Sequence, residues 1–152
     1  MLKEFIEDGG YALVGQNLVG FDAAVLMHEF DRHKCKNFVF NSAPIVDVGV
    51  AYKAYQLHDR RAANEGFWAY FRRVRAIRAK GVKWSIVHCM KMFHLPVDST
   101  HAHNAEYDCM CAHQVYEKMR EQEIIEKVLW PGRYEHEQSG ARQAAFRPGG
   151  GV

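Results

Sequence analysis

The chain has 152 residues, of which 48% are hydrophobic and 25% charged, a size and composition typical of one globular domain with its own core. It contains no apolar run long enough to span a membrane, and charges stand near its start where a signal peptide would be apolar. We therefore expect a soluble protein in the cytoplasm. The formal net charge of +2 conceals a strongly basic central segment.

The first part of the chain predicts a strand, a polar turn and a helix. Residues 1–10 resemble the end of a helix, residues 11–14 a buried strand, and residues 23–33 a helix with Val25, Leu26 and Phe30 on its buried side. Asn17 and Asp22 lie in the turn between strand and helix. Ligands of α/β folds bind at the carboxyl ends of strands, so both are candidate site residues. An acid at a helix start is also a common cap.

The middle of the chain predicts two short strands at 37–41 and 44–48, the second interrupted by Asp47, and then a helix over 48–57. Residues 62–80 predict an amphipathic helix that Gly81 ends. Its expected inner face consists of Phe67, Tyr70, Phe71, Val74 and Ile77. A further helix is expected over 84–93, and a last helix from Asn104 that ends near Leu129. The domain would then span 1–130, with a tail over 131–152.

Basic residues are concentrated in the segment 60–83. This segment carries eight basic residues and a single acid, Glu65. A surface of this kind is suited to a phosphate backbone. The alternative is a solvated helix face.

The segment around residues 100–119 carries the pattern His-x-Ala-x-x-Asp, at His103, Ala105 and Asp108. The expected apolar side of the helix consists of Ala105, Cys109, Ala112, Tyr116 and Met119, and Asn104 is the expected N-cap. A histidine in the loop before the helix can reach over a carboxylate in its first turns. Such a pair suits metal-assisted hydrolysis, with the acid binding the cation and the histidine taking a proton from water. The alternative is an acid favoured there only by the helix dipole.

A zinc site is the competing metal hypothesis, because several histidines and cysteines lie between positions 88 and 113. No pair has zinc-finger spacing, and the four cysteines of the chain show no CxxC pattern. Reduced packing thiols are therefore expected at Cys35, Cys89, Cys109 and Cys111.

Several segments in this order resemble the DEDDh 3′–5′ exonucleases, the proofreading-type nucleases of the ribonuclease H-like fold. Residues 13–17 (LVGQN) and 20–22 (GFD) resemble the second motif of the family, and residues 44–47 (PIVD) the strand that follows it. Residues 84–96 resemble the helix before the third motif, which His103, Ala105 and Asp108 match. The resemblance implies an α/β fold of the ribonuclease H-like exonuclease type, over about residues 3–120.

The resemblance also implies a catalytic site. Asp108 and Asp22 would bind two divalent cations, Mg²⁺ or Mn²⁺, and His103 would be the general base. Asn17, Phe21 and Ala105 would line the pocket for the terminal nucleotide. The implied reaction releases nucleoside monophosphates from the 3′ ends of single-stranded DNA or RNA.

The first motif of the family, Asp-x-Glu, has no match, because no aspartate here has a glutamate two positions later. The N-terminal strands that carry this motif are therefore expected to be missing. A second chain or a homodimer would cover the open sheet. The alternatives are a truncated reading frame, or a catalytically inactive nucleic-acid- or protein-binding module derived from an exonuclease.

Overall fold

The computed structural model describes residues 11–34, 45–98, 100 and 104–130. Within these ranges the chain forms a mixed α/β structure that is mostly helical. The strands are β1 (Leu13–Gly15) and β2 (Ile45–Asp47). The helices are α1 (Asp22–Arg32), α2 (Val48–Gln56), α3 (Phe67–Ala76), α4 (Ile86–Met92), α5 (Ala105–Glu121) and α6 (Ile124–Leu129). None of these helices is long and apolar enough to cross a membrane.

The two strands pair in parallel, with Leu13 opposite Ile45 and Gly15 opposite Asp47. Parallel strands need a crossover connection, and α1 lies within it. Their carboxyl ends therefore meet at one edge, where the turn before α1 and the start of α2 come together. The α/β class is confirmed, and the ribonuclease H-like arrangement remains a prediction.

Helix α2 lies at the centre of the core. Seven of its nine residues are buried, from Val48 to Ala54, and the helix contacts α3, α4, α5 and α6. A helix that is apolar on every side has to be surrounded by other elements, and the sequence VGVAYKAY is apolar except at Lys53. The predicted helix over 48–57 is thus confirmed and is the element around which the others pack.

Helix α3 buries Trp68, Tyr70, Phe71 and Val74, so most of its predicted inner face is correct. The predicted bounds of 62–80 are wrong at both ends, because the helix begins at Phe67, stops at Ala76, and Ile77 is extended. The Lys53 ammonium donates hydrogen bonds to the Arg75 and Ile77 carbonyls, at 2.9 and 2.6 Å. These carbonyls would otherwise lack helical partners, so a residue distant in sequence caps the helix.

Helix α5 begins as predicted, since the Asn104 side chain accepts a hydrogen bond from the Tyr107 backbone N–H at 3.1 Å. The predicted apolar side is partly wrong. Ala112 and Met119 are buried, whereas Ala105 and Cys109 are exposed. Cys111 and Val115 complete the buried face instead, because α4 and α6 contact the helix on that side.

Two further expectations need correction. Val25 is 46% exposed, while Leu26 and Phe30 pack partly buried against the core. The last predicted helix is two helices, separated at Glu123, which has a left-handed backbone (φ 57°). Cys89, Cys109 and Cys111 are free; Cys89 and Cys111 are buried packing thiols as expected, whereas Cys109 is exposed and that prediction is wrong. The predictions for residues 1–10, 37–41, 131–152, Cys35 and His103 lie outside the described residues.

Candidate functional site

The turn after β1 places Asn17 and Asp22 at the carboxyl edge of the sheet. Asn17 has a left-handed backbone (φ 59°), which asparagine tolerates better than most residues. Its carbonyl accepts hydrogen bonds from the Gly20 and Phe21 N–H groups, at 3.0 and 2.9 Å. The chain therefore reverses direction within five residues, and Asp22 begins α1 directly beside the strand end.

The Asp47 side chain holds this turn in place through hydrogen bonds to its backbone. Its carboxylate is fully buried at the end of β2 and accepts hydrogen bonds from the backbone N–H groups of Asn17 (3.1 Å), Val19 (3.4 Å) and Val50 (3.3 Å). Burial raises the pKa of Asp47 to about 6, although the three N–H donors favour the ionised form. The side chain joins β2, the turn after β1 and the start of α2, so Asp47 positions the turn and is shielded from solvent.

An unsatisfied amide oxygen lies within the turn. The Asn17 Oδ1 atom is buried and has no hydrogen-bond partner among the described residues. It lies close to the point where a Gly20 Cβ atom would be, and an Arg75 guanidinium nitrogen lies 2.5 Å from that same point. The absence of a side chain at Gly20 thus allows an oxygen acceptor and a cation to approach each other. A buried acceptor without a partner is uncommon and indicates a place for a ligand or water.

Phe21 and Asp22 follow at the mouth of the turn. Phe21 is 63% exposed, so its ring is accessible to a ligand. Asp22 is half-buried, and desolvation raises its pKa, opposed by a hydrogen bond with its own backbone N–H. The Asp22 carboxylate is therefore partly shielded from solvent and still accessible.

Asp108 lies in the first turns of α5, the helix that packs against β1. It is half-buried, and Ala105 one turn earlier is exposed. Asn17, Phe21 and Asp22 are brought together in one turn, and Asp108 is on a neighbouring element. Within the described ranges, no three His, Cys, Asp or Glu side chains are grouped so that they could hold a metal ion. That finding supports neither a zinc site nor a magnesium or manganese site among these residues.

Mg²⁺ and Mn²⁺ prefer carboxylate and amide oxygens. Asp22 is a carboxylate in the turn after β1, where the Asn17 Oδ1 atom has no partner, and Asp108 is a carboxylate on the separate element α5. A metal site that joins these oxygens remains a prediction.

The cations of the basic segment 60–83 differ in their partners, since some bind acids, carbonyls or rings and others form no ion pair. Arg73 forms ion pairs with Asp59 (2.7 Å) and Glu65 (2.8 Å). Arg61 donates to the Leu129 carbonyl and lies over the Phe67 ring. In the part of the chain that the structure describes, Arg75, Arg78 and Lys80 form no ion pair.

Arg75, Arg78 and Lys80 line an open groove of about 470 Å³, here called the basic groove. Its lining consists of Lys53, Arg75, Ile77, Arg78, Ala79, Lys80, Val82 and Trp84. The Lys53 ammonium lies 5.4 Å from the centre of the Trp84 ring, at the floor of the groove. Desolvation, and secondly the Arg75 charge, lower the pKa of Lys53. The volume is within the range that holds a small ligand.

No protein-family model matches the chain, and no curated protein or solved structure is detectably similar to it. The function has to be argued from the residues themselves.

Lys53 and Trp84 were not among the candidates from the sequence. A signal was present for Lys53, since a single lysine within an apolar helix needs a specific partner. Nothing local indicates that Trp84 and Arg75 share a groove, because the loop over residues 77–85 brings them together.

Proposed function

We propose that the chain is part of a metal-dependent 3′–5′ exonuclease that acts on single-stranded DNA or RNA. The observation that carries the proposal is the carboxyl edge of the parallel sheet. There a tight turn presents Asn17, Phe21 and Asp22 together. Asp108 lies in the first turns of α5, a helix that contacts β1, and we propose that its side chain faces the same edge. This agrees with the motif order that resembles the DEDDh exonucleases. The mixed α/β fold with its parallel pair of strands does not depend on this proposal.

The roles of the residues follow from their chemistry. Asp22 and Asp108 would hold divalent cations, which when bound stabilise the charges that develop on the attacking and leaving oxygens. His103 would take the proton from the attacking water. The exposed Phe21 ring would stack on the terminal base, and Asn17 would bind its sugar or base edge through the unsatisfied Oδ1 atom.

Further carboxylates are required in this proposal, because Asp22 and Asp108 provide only two negative charges for two dications. We propose that a second polypeptide provides the Asp-x-Glu pair and covers the sheet. Hydrolysis is then a property of the complex, and the isolated chain is expected to bind strands and metal weakly.

The test uses the chain alone and the native complex isolated from cells, each with a 3′-labelled single strand and Mn²⁺. The complex should release labelled mononucleotide, and Asp108→Ala and His103→Ala should abolish the release. Asp31→Ala, an exposed acid on the same helix as Asp22, is the matched control and should be as active as the unaltered protein. Release that is absent from the complex, or equal in Asp108→Ala, would contradict an exonuclease.

A second candidate function is a catalytically inactive module that binds nucleic acid. Arg75, Arg78 and Lys80 favour this function, because they form no ion pair and can bind phosphates without a second chain or a metal. In the same assay this function predicts a retained complex with an intact label.

A further inference from the structure

The basic groove gathers positive charge from four side chains, and the buried Asp47 carboxylate partly offsets that of Arg75. Arg73, on the same helix, is held between two acids, whereas Arg75, Arg78 and Lys80 form no ion pair within the described ranges. The Lys53 ammonium donates two of its hydrogen bonds to the carbonyls of Arg75 and Ile77. Lys53 itself is buried, so the exposed Arg75, Arg78 and Lys80 are the cations that a ligand in the groove can reach. Like charges in one groove repel each other, and a bound anion would relieve the repulsion.

The groove also contains an aromatic ring. Trp84 is half-buried beside Lys53, and its ring is part of the lining. A small inorganic anion would use the cations alone. Cations together with an aromatic ring are the combination that binds single-stranded nucleic acids, where phosphates contact the cations and a base stacks on the ring.

Two lining residues of the groove contact the region of the turn after β1. The Arg75 guanidinium reaches the place where a Gly20 side chain would be, next to the Asn17 amide. The Gln16 side-chain amide donates a hydrogen bond to the Trp84 carbonyl at 3.2 Å. A phosphate bound to Arg75 would therefore lie near the turn that presents Phe21 and Asp22.

We propose that the basic groove binds a single-stranded nucleic acid, with backbone phosphates on Arg75, Arg78 and Lys80 and one base stacked on Trp84. This inference rests on the proposed function, since it names the path by which a strand reaches the candidate site. It is a separate claim about which residues hold the strand.

The test measures binding of a 5′-fluorescein-labelled twelve-nucleotide thymidine strand by fluorescence anisotropy, in EDTA so that no hydrolysis occurs. The variant Arg78→Ala/Lys80→Ala should bind at least about tenfold more weakly at low salt. The slope of log affinity against log salt concentration should also become shallower by about 1.4, or 0.7 for each lost phosphate contact. The charge-matched control Arg72→Ala/Lys91→Ala removes two exposed cations outside the groove, and should leave both the slope and most of the affinity unchanged.

The stacked base is tested from both sides. Trp84→Ala should weaken binding by about 5- to 150-fold, the loss of one stacked base, and Trp84→Phe should restore most of it. An abasic strand of equal length makes the comparison independent of how the variants fold. Unaltered protein should bind the abasic strand more weakly. This difference should be about 5- to 150-fold smaller in Trp84→Ala, where Phe21 is the remaining ring proposed to stack on a base.

The outcomes separate this inference from the proposed function. An equal loss of affinity in the two double variants would contradict strand binding in the basic groove. Equal affinities of the unaltered protein for the thymidine and abasic strands would contradict it as well. If the native complex still releases mononucleotides in that case, the exonuclease proposal stands. Absence of any strand binding by the unaltered chain would overturn the groove, while the nuclease assay on the complex would decide the proposed function.

Discussion

The buried carboxylate of Asp47 leads to a prediction about how stability depends on pH. Burial raises its pKa from 3.8 to about 6 in the folded protein. Between these values the folded state binds more protons than the unfolded state, so the free energy of unfolding should fall as the pH rises. A shift of this size lowers the free energy of unfolding by about 3 kcal/mol at neutral pH, relative to a pH at which Asp47 is protonated in both states. About 2 kcal/mol of this decrease occurs between pH 4.5 and 7.5.

Asp47→Asn removes the titration and keeps the shape. The amide oxygen can still accept from the Asn17 and Val50 N–H groups, whereas the amide nitrogen would face the Val19 N–H and lose that bond. The lost bond should cost about 1 kcal/mol at every pH. The variant should therefore be about as stable as the unaltered protein at pH 4.5, and more stable by about 2 kcal/mol at pH 7.5.

The assay is urea denaturation followed by circular dichroism at several pH values between 4.5 and 7.5. Glu65→Gln is a control of opposite sign. Hydrogen bonds from the Arg73 guanidinium lower the pKa of Glu65, so its contribution is present near neutral pH and is lost as the pH falls. The stability difference of Asp47→Asn should thus become more favourable with rising pH, and that of Glu65→Gln less favourable. A pH-independent difference for Asp47→Asn, or one of reversed slope, would refute the reasoning.

Three further predictions concern single positions. Gly49→Ala should destabilise the protein by about 2 kcal/mol, because the new Cβ atom would lie 2.5 Å from the Trp84 carbonyl oxygen; a gain of about 1 kcal/mol in a thermal melt, as helix propensity alone predicts, would contradict this. Lys53→Met should cost about 2 kcal/mol in urea denaturation, since the Arg75 and Ile77 carbonyls lose their donor; unchanged stability would show that solvent replaces the cap. His94→Gly should stabilise the protein by about 1 kcal/mol, because His94 has a left-handed backbone (φ 55°) just after α4, whose end is closed by a Leu95 N–H to Met90 carbonyl bond. His94→Ala keeps the backbone strain and should show no gain, so equal effects of the two substitutions would argue against the strain.

The candidate site was partly predictable because its turn is encoded locally. An apolar run, then Asn17 and Gly20, then an acid before an apolar helix is a pattern whose structure depends on neighbours within a few residues. The sequence predicts both strands from short apolar segments, whereas their parallel pairing is a finding of the structure. The joint position of Asp22, Asp108 and His103 depends on contacts between distant elements and stays a prediction.

The sequence by itself determined where the elements lie, because apolar periodicity and caps such as Asn104 act over one or two turns of helix. Only the tertiary structure decided which side of each helix is covered, and so whether Cys109 or Cys111 is buried. It also decided that Lys53 ends α3 and that Asp47 holds the turn after β1. The physical reason is that a buried polar group is stable only with partners, and these partners come from parts of the chain that sequence spacing does not bring together.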